Sequence, residues 1–276
     1  MNLNTFFTGF LVTGAAVMVA ISGEKQPVYS GKGLVEESTN YQIQALNPLA
    51  EVQTFAVENY YMSDFQGFSD DANQLLLRYA DPFSVGGTDW LFKATLPINH
   101  YPDGTGSTET GLGDLTIQTC YLFETSNPNV SFGIGPSFRF PTATDGAILG
   151  HEKWSAGLAN TYFNGADEKF QFGYTLSWMQ SFAGDSGRGH YHVGAFQPFM
   201  FYQLGNGWYT GTAPIWMYDF SNDSYSIPLG LRLGRVMEMQ NGSIMNAFVE
   251  PQIAVFDHGP ALPNWQIFAG IRIQCW

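Results

Sequence analysis

The chain has 276 residues and a formal net charge of −13, with 11 Lys and Arg against 24 Asp and Glu, a balance that excludes nucleic-acid binding, which draws on clustered basic residues. Charged residues make up only 13% and aromatic residues 16%, whereas an average soluble domain is ~25% charged. No internal stretch holds the ~20 consecutive apolar residues of a membrane helix, so the low charge points to a β-barrel, in which every second residue meets lipid.

In chain order, the first element is the apolar run Phe6–Ile21, followed by Ala20-Ile-Ser22, a small-x-small site. It reads as a secretory signal peptide over residues 1–22, although Met1-Asn-Leu-Asn4 carries none of the usual basic residues. The alternative is a retained, buried N-terminal segment. No Cys follows the run, so a lipoprotein is not expected. Residues 23–48, polar from Glu24 to Leu46, form either a disordered periplasmic lead-in or a plug entering a lumen.

From about Leu49 onward the chain reads as strands near 49–61, 73–82, 88–97, 112–124, 130–140, 153–163, 168–180, 191–203, 207–218, 224–235, 244–255 and 264–275. Each rests on period-two alternation. In the last, Trp265, Ile267, Ala269, Ile271 and Ile273 oppose Gln266, Phe268, Gly270, Arg272 and Gln274. In the fifth, Phe132, Ile134, Pro136, Phe138 and Phe140 oppose small or polar residues. Phe199-Met-Phe-Tyr202 is apolar on both faces.

The connectors alternate in length. Ser84–Thr88, Thr125–Asn129, Asn164–Asp167, Gly205–Gly207 and Gln240–Ser243 are short; between them lie long polar stretches such as Asn99–Gly111 and Thr142–Lys153. A transmembrane barrel collects short turns at the periplasmic rim and long loops outside. The expected fold is therefore all-β: a monomeric antiparallel up-and-down outer-membrane barrel of about 12 strands over residues 49–276, with both termini periplasmic. First and last strands must pair, because an open edge finds no water in lipid.

Trp90, Trp154, Trp178, Trp208, Trp216, Trp265 and Trp276 fall near strand ends, as an interfacial girdle would. Trp276 resembles the terminal aromatic by which the barrel-assembly machinery recognises its clients, but its parity is opposite to that of the apolar face of the last segment. Cys120 and Cys275 fall on non-neighbouring strands, so no bridge is expected.

Parity turns Arg78, Lys93, Arg139, Arg232 and Arg272 inward, with Asp114 and Glu250 on the same face. These charges form either a salt-bridge network, with Arg232, Glu250 and Arg272 on three consecutive strands, or a basic constriction favouring anions such as aromatic carboxylates. His100, His151, His190, His192 and His258 sit in or beside outer loops near Asp145, Glu152, Asp185 and Asp257, without a spacing diagnostic of a metal site. Gly184-Asp-Ser-Gly187 reads as a flexible loop; a lipase-type enzyme would need Ser186 paired with His190 or His192. No catalytic residue and no cofactor is expected.

Several stretches are similar to a family of bacterial outer-membrane proteins: Asn47-Pro-Leu-Ala-Glu51, Gly111-Leu-Gly-Asp114, Gly133-Ile-Gly-Pro136, Phe140-Pro-Thr-Ala-Thr-Asp145, Leu149-Gly-His-Glu-Lys-Trp154, Trp178–Asp185, Gln197-Pro-Phe199, Phe248-Val-Glu-Pro-Gln252 and Asn264-Trp-Gln266. The resemblance covers roughly residues 46–276 in order. The family is named for the meta-pathway of phenol degradation, and some members are labelled transporters. The resemblance implies an outer-membrane barrel and brings no catalytic residues. The expected activity is passive uptake of small solutes, aromatic or hydrophobic ones included. The alternative is a non-transporting structural or surface-binding barrel whose acidic loops meet cations or lipopolysaccharide.

Overall fold

The computed structural model describes residues 40–65 and 70–275. The expectations for a signal peptide over 1–22, for residues 23–39 and for Trp276 lie outside the described residues.

A short helix α1 (Asn40–Leu46) precedes the strands. The wall begins with β1 (Gln53–Phe65), β2 (Ala72–Val85), β3 (Thr88–Pro102), β4 (Thr108–Leu112), β5 (Thr116–Phe123) and β6 (Val130–Arg139). It continues with β7 (Lys153–Asn164), β8 (Phe170–Gly184), β9 (His192–Gly205), β10 (Trp208–Thr212) and β11 (Trp216–Asp219). Last come β12 (Ser224–Gly230), β13 (Arg232–Glu238), β14 (Ile244–His258) and β15 (Pro263–Cys275). These fifteen segments make twelve wall strands. β4 and β5 both pair with β3, β10 and β11 both pair with β9, and β12 and β13 both pair with β14. Each of these pairs is therefore a single interrupted strand. All pairings are antiparallel, and β1 closes the wall against β15 from Gln53↔Cys275 to Phe65↔Pro263.

Alternation decides which face each residue takes. Phe55, Val57, Leu77, Phe138, Leu158, Ile253 and Ile271 are exposed on the outside, while their sequence neighbours Ala56, Glu58, Leu76, Ser137 and Ala159 are buried within. Trp90 and Trp208 stand near one rim; Trp154, Trp178 and Trp265 stand toward the other. The short turns all share the rim where β1 begins and β15 ends. Two of them, Gly86-Gly87 and Asn206-Gly207, have positive φ at both positions (60° and 80°; 53° and 79°). That is the geometry of the type I′ turn, whose twist matches the strands it joins.

Several strands run past their predicted ends, β3 to Pro102 rather than 97 and β8 to Gly184 rather than 180, and the first starts late. β1 starts at Gln53 rather than near residue 49, because Asn47 turns the chain first: its Oδ1 accepts the Leu49 amide at 2.9 Å. Leu49 then packs inside against Leu91 and Cys120. Both cysteines are free.

One of the interrupted strands is answered from the lumen. The register between β10/β11 and its two neighbours skips Ala213–Ile215, where Pro214 has no amide to give to a ladder. Side chains take over the free groups. Ala213 N donates to Glu250 Oε1 at 3.0 Å, Gln197 Nε2 donates to Ala213 O at 3.0 Å, and Trp216 Nε1 donates to Pro228 O at 3.0 Å.

Inside, Tyr209 is fully buried (0% exposed), and its ring lies over Gly234, where an added Cβ would meet a ring carbon at 2.3 Å. Gly234→Ala is expected to destabilise the barrel by about 1–3 kcal/mol through overpacking, despite the usual gain of Ala over Gly in a strand. The temperature at which the unboiled, fast-migrating gel band converts to the unfolded one measures this. A midpoint equal to the parent's would contradict the packing.

Candidate functional site

The lumen is the site, and its lower end is filled by α1. Asn40-Tyr-Gln-Ile-Gln-Ala-Leu46 lies against the rim of short turns. Ile43, Ala45 and Leu46, all buried, join Phe163, Phe199, Phe201, Tyr209, Val236, Ile244, Phe248 and Phe268 in one apolar cluster. Few polar bonds hold the helix: Gln274 Nε2 donates to Gln44 O at 3.3 Å, and Asn246 Nδ2 to Ala45 O at 3.5 Å. Just beyond it, Asn47 Nδ2 donates to Ser131 Oγ at 3.0 Å. Both sequence readings cover residues 23–48, of which residues 40–48 are described, and there Ile43, Ala45 and Leu46 are buried.

Above the helix lies a cavity of about 230 Å³, whose wall carries Arg78, Lys93, Arg232, Arg272 and Glu58. Of the five basic residues read as inward, Arg78, Lys93, Arg232 and Arg272 line this cavity and Arg139 lies outside its lining. The network is not the predicted one. Glu250 pairs with Arg232 alone (Nε to Oε2, 2.6 Å). Arg272 turns instead to Glu58 Oε1 at 2.6 Å, and Arg78 reaches Glu58 Oε2 at 2.9 Å. Glu58 was missed, although its alternation with Phe55 and Val57 marks it as inward. Its partner on β15 lies 214 residues away, a distance no local pattern bridges. Lys93 takes part in none of the ion pairs among the described residues.

Aromatic rings share this chamber. Tyr60 stacks on Phe268 with centroids 4.2 Å apart, and Arg232 lies 4.0 Å over the Phe248 ring. In the doubly apolar Phe199-Met-Phe-Tyr202, Phe199 and Phe201 face inward and Met200 and Tyr202 outward. Aromatic residues therefore share the interior with the charges that parity turned inward.

At the upper end the β6–β7 connector folds over the mouth. Asp114, predicted as a lumen charge, is its clamp: Oδ2 accepts the His151 amide at 2.9 Å and Oδ1 the Ala143 amide at 3.3 Å. Asn99 Nδ2 donates to Leu149 O at 2.9 Å, and Leu149 is buried. Arg139 also sits at this level, 4.2 Å from the centroid of Tyr191. Asp114 and Arg139 thus belong to the rim and not to the charged chamber.

The described histidines are dispersed. His100 bonds Thr110 at 2.6 Å, His151 packs on Tyr191, and His258 on Tyr225. His192 Nε2 accepts the Trp178 indole N–H at 2.9 Å and its ring lies against Phe220. Among the described residues no three His, Cys, Asp or Glu gather as metal ligands.

A family model described as "Putative MetA-pathway of phenol degradation" matches residues 52–225. Among solved structures the chain is similar to the COG4313 outer membrane channel from Pseudomonas putida F1, with 13% identity, a TM-score of 0.65, and 83% of this chain and 100% of that one covered. It is also similar to a KdgM porin in complex with disordered oligogalacturonate (10% identity, TM-score 0.47, covering 81% of this chain and 99% of that one). The likeness at TM-score 0.65 establishes a shared barrel fold. No curated protein matches the sequence.

Arg232 and Glu250 are 2% and 0% exposed. Removing one member of such a pair strands the other charge, so Glu250→Leu is expected to cost about 3–5 kcal/mol. The double replacement Glu250→Leu with Arg232→Met should recover part of that loss, the Ala213 amide remaining without its acceptor. Heat-modifiability midpoints of the three proteins test this; a double variant no more stable than the single one would contradict it.

Proposed function

The chain belongs to the family described as "Putative MetA-pathway of phenol degradation", and from that premise we propose that it is an outer-membrane channel admitting small solutes, aromatic or apolar ones among them. The observation that carries the reading is the stopper-like character of α1. A barrel built only as a scaffold needs a continuously packed interior. Here a seven-residue helix is seated by apolar contacts and a few long hydrogen bonds beneath a chamber of about 230 Å³.

A helix that short has little stability of its own, so its place depends on Ile43, Ala45 and Leu46. Loss of those contacts frees the lower end of the lumen while the wall, with its own ladder, persists. Aromatic walls favour solutes that exchange water for ring contacts. In this reading the barrel sits in the bacterial outer membrane, with lipid and lipopolysaccharide around its apolar belt, and the barrel-assembly machinery inserts it.

A second reading takes support from the same closure. A lumen shut below by α1 and above by the 140–152 connector also suits a non-transporting surface barrel. The two readings part on one measurement. In liposomes carrying the purified protein, Leu46→Asp is expected to raise the flux of a small neutral aromatic solute such as benzamide several-fold over the parent. Equal, background-level flux from both folded proteins would sink the channel.

A further inference from the structure

We propose that the lumen chamber is a binding site for a single-ring aromatic monocarboxylate, held by its carboxylate among Lys93, Arg78, Arg232 and Arg272 and by its ring against Phe199 and Phe201. As a substrate class this rests on the channel reading; as a binding site it stands alone.

The charge count is the first argument. Four cations surround the chamber and two carboxylates, Glu58 and Glu250, answer them. Buried charge without compensation is costly. Arg78 and Arg272 share the single carboxylate of Glu58, Arg232 takes Glu250, and Lys93 is in none of the ion pairs among the described residues, so the chamber keeps an excess of positive charge. A bound anion supplies the compensation.

The second argument is the free donors. A guanidinium carries five N–H groups in a fixed fork. Arg272 commits Nε to Glu58, Arg78 Nε lies 2.9 Å from Glu58 as an ion pair without a hydrogen bond, and their side chains are 27% and 39% accessible. Arg232 commits Nε to Glu250, and its Nη2 is buried with no hydrogen-bond partner. Lys93 offers three more N–H groups and makes none of the ion pairs given above. A carboxylate, planar and able to accept at two oxygens, matches such donors.

The ring follows from the aromatic lining and from size. Phe199 and Phe201 lie 5.9 Å apart at 14° and both line the cavity with the cations, Arg232 being 5.6 Å from the Phe201 ring. At about 230 Å³ the chamber is smaller than the ~300–1,000 Å³ of sites for drug-sized ligands, which limits the occupant to one ring.

The test is calorimetric titration of the full chain, folded in detergent, with sodium benzoate, benzamide and sodium acetate. Benzoate is expected to bind at one site at least ~10-fold more tightly than either of the others, benzamide lacking the charge and acetate the ring. Benzamide binding as tightly as benzoate overturns the anion site, and acetate doing so overturns the aromatic one. Lys93→Met, which strands no partner, is expected to weaken benzoate about tenfold; unchanged affinity in the folded variant also overturns the proposal. Flux of neutral benzamide through the parent and the Leu46→Asp protein is measured separately. Benzoate binding without any flux refutes the channel and leaves the site, whereas flux without benzoate preference refutes the site and leaves the channel.

Discussion

The wall of this protein must leave no backbone group without a partner, since hydrocarbon offers none. Everything else follows from that closure. The pairing of β1 with β15, from Gln53↔Cys275 to Phe65↔Pro263, removes both edges and creates an inside. Once there is an inside, alternate residues of twelve strands converge on it, and a lumen of this size is filled by side chains and whatever chain can be folded into it. The apolar half of the sequence is spent on lipid. The residues that give the protein its character are those left facing inward.

What faces inward is arranged in layers. Lowest is α1 with its apolar cluster, then the chamber of cations and rings, then the clamp that Asp114 and Asn99 place on the 140–152 connector. The layers use different physics. The helix is seated by burial and the connector by hydrogen bonds to a carboxylate and an amide. The middle is set by ion pairs whose members come from strands distant in sequence. Glu58 joins β1, β2 and β15 across the closing seam, while Glu250 ties β14 to β13 and to the interrupted β10/β11 strand.

Much of the wall was legible in the sequence because period two and turn chemistry are local signals. The inward parity of Arg78, Lys93, Arg232 and Arg272 came from the same source. What was not legible was pairing and sidedness. Alternation says that Arg272 and Glu250 point inward but not that Arg272 prefers Glu58, which depends on how the barrel closes. Phe199 and Phe201 could not be assigned because both faces of their strand are apolar there. Asp114 was read as a lumen charge on parity, and parity cannot see a loop folding back to meet it. The helix was hidden because seven residues without a charged end carry too little periodicity to distinguish a plug from a tail.

The gap at Ala213–Ile215 couples two things that barrels usually keep apart. Along most of the wall the strands are joined main chain to main chain, and the lumen is held by side chains. Here the amide of Ala213 is answered by Glu250, the same carboxylate that neutralises Arg232. The strength of the wall at this point is thus tied to the electrostatics of the interior. A change in the charge state or company of Glu250 is felt as a change in how firmly one strand is stitched to the next, which makes this short stretch the hinge between the molecule's contents and its container.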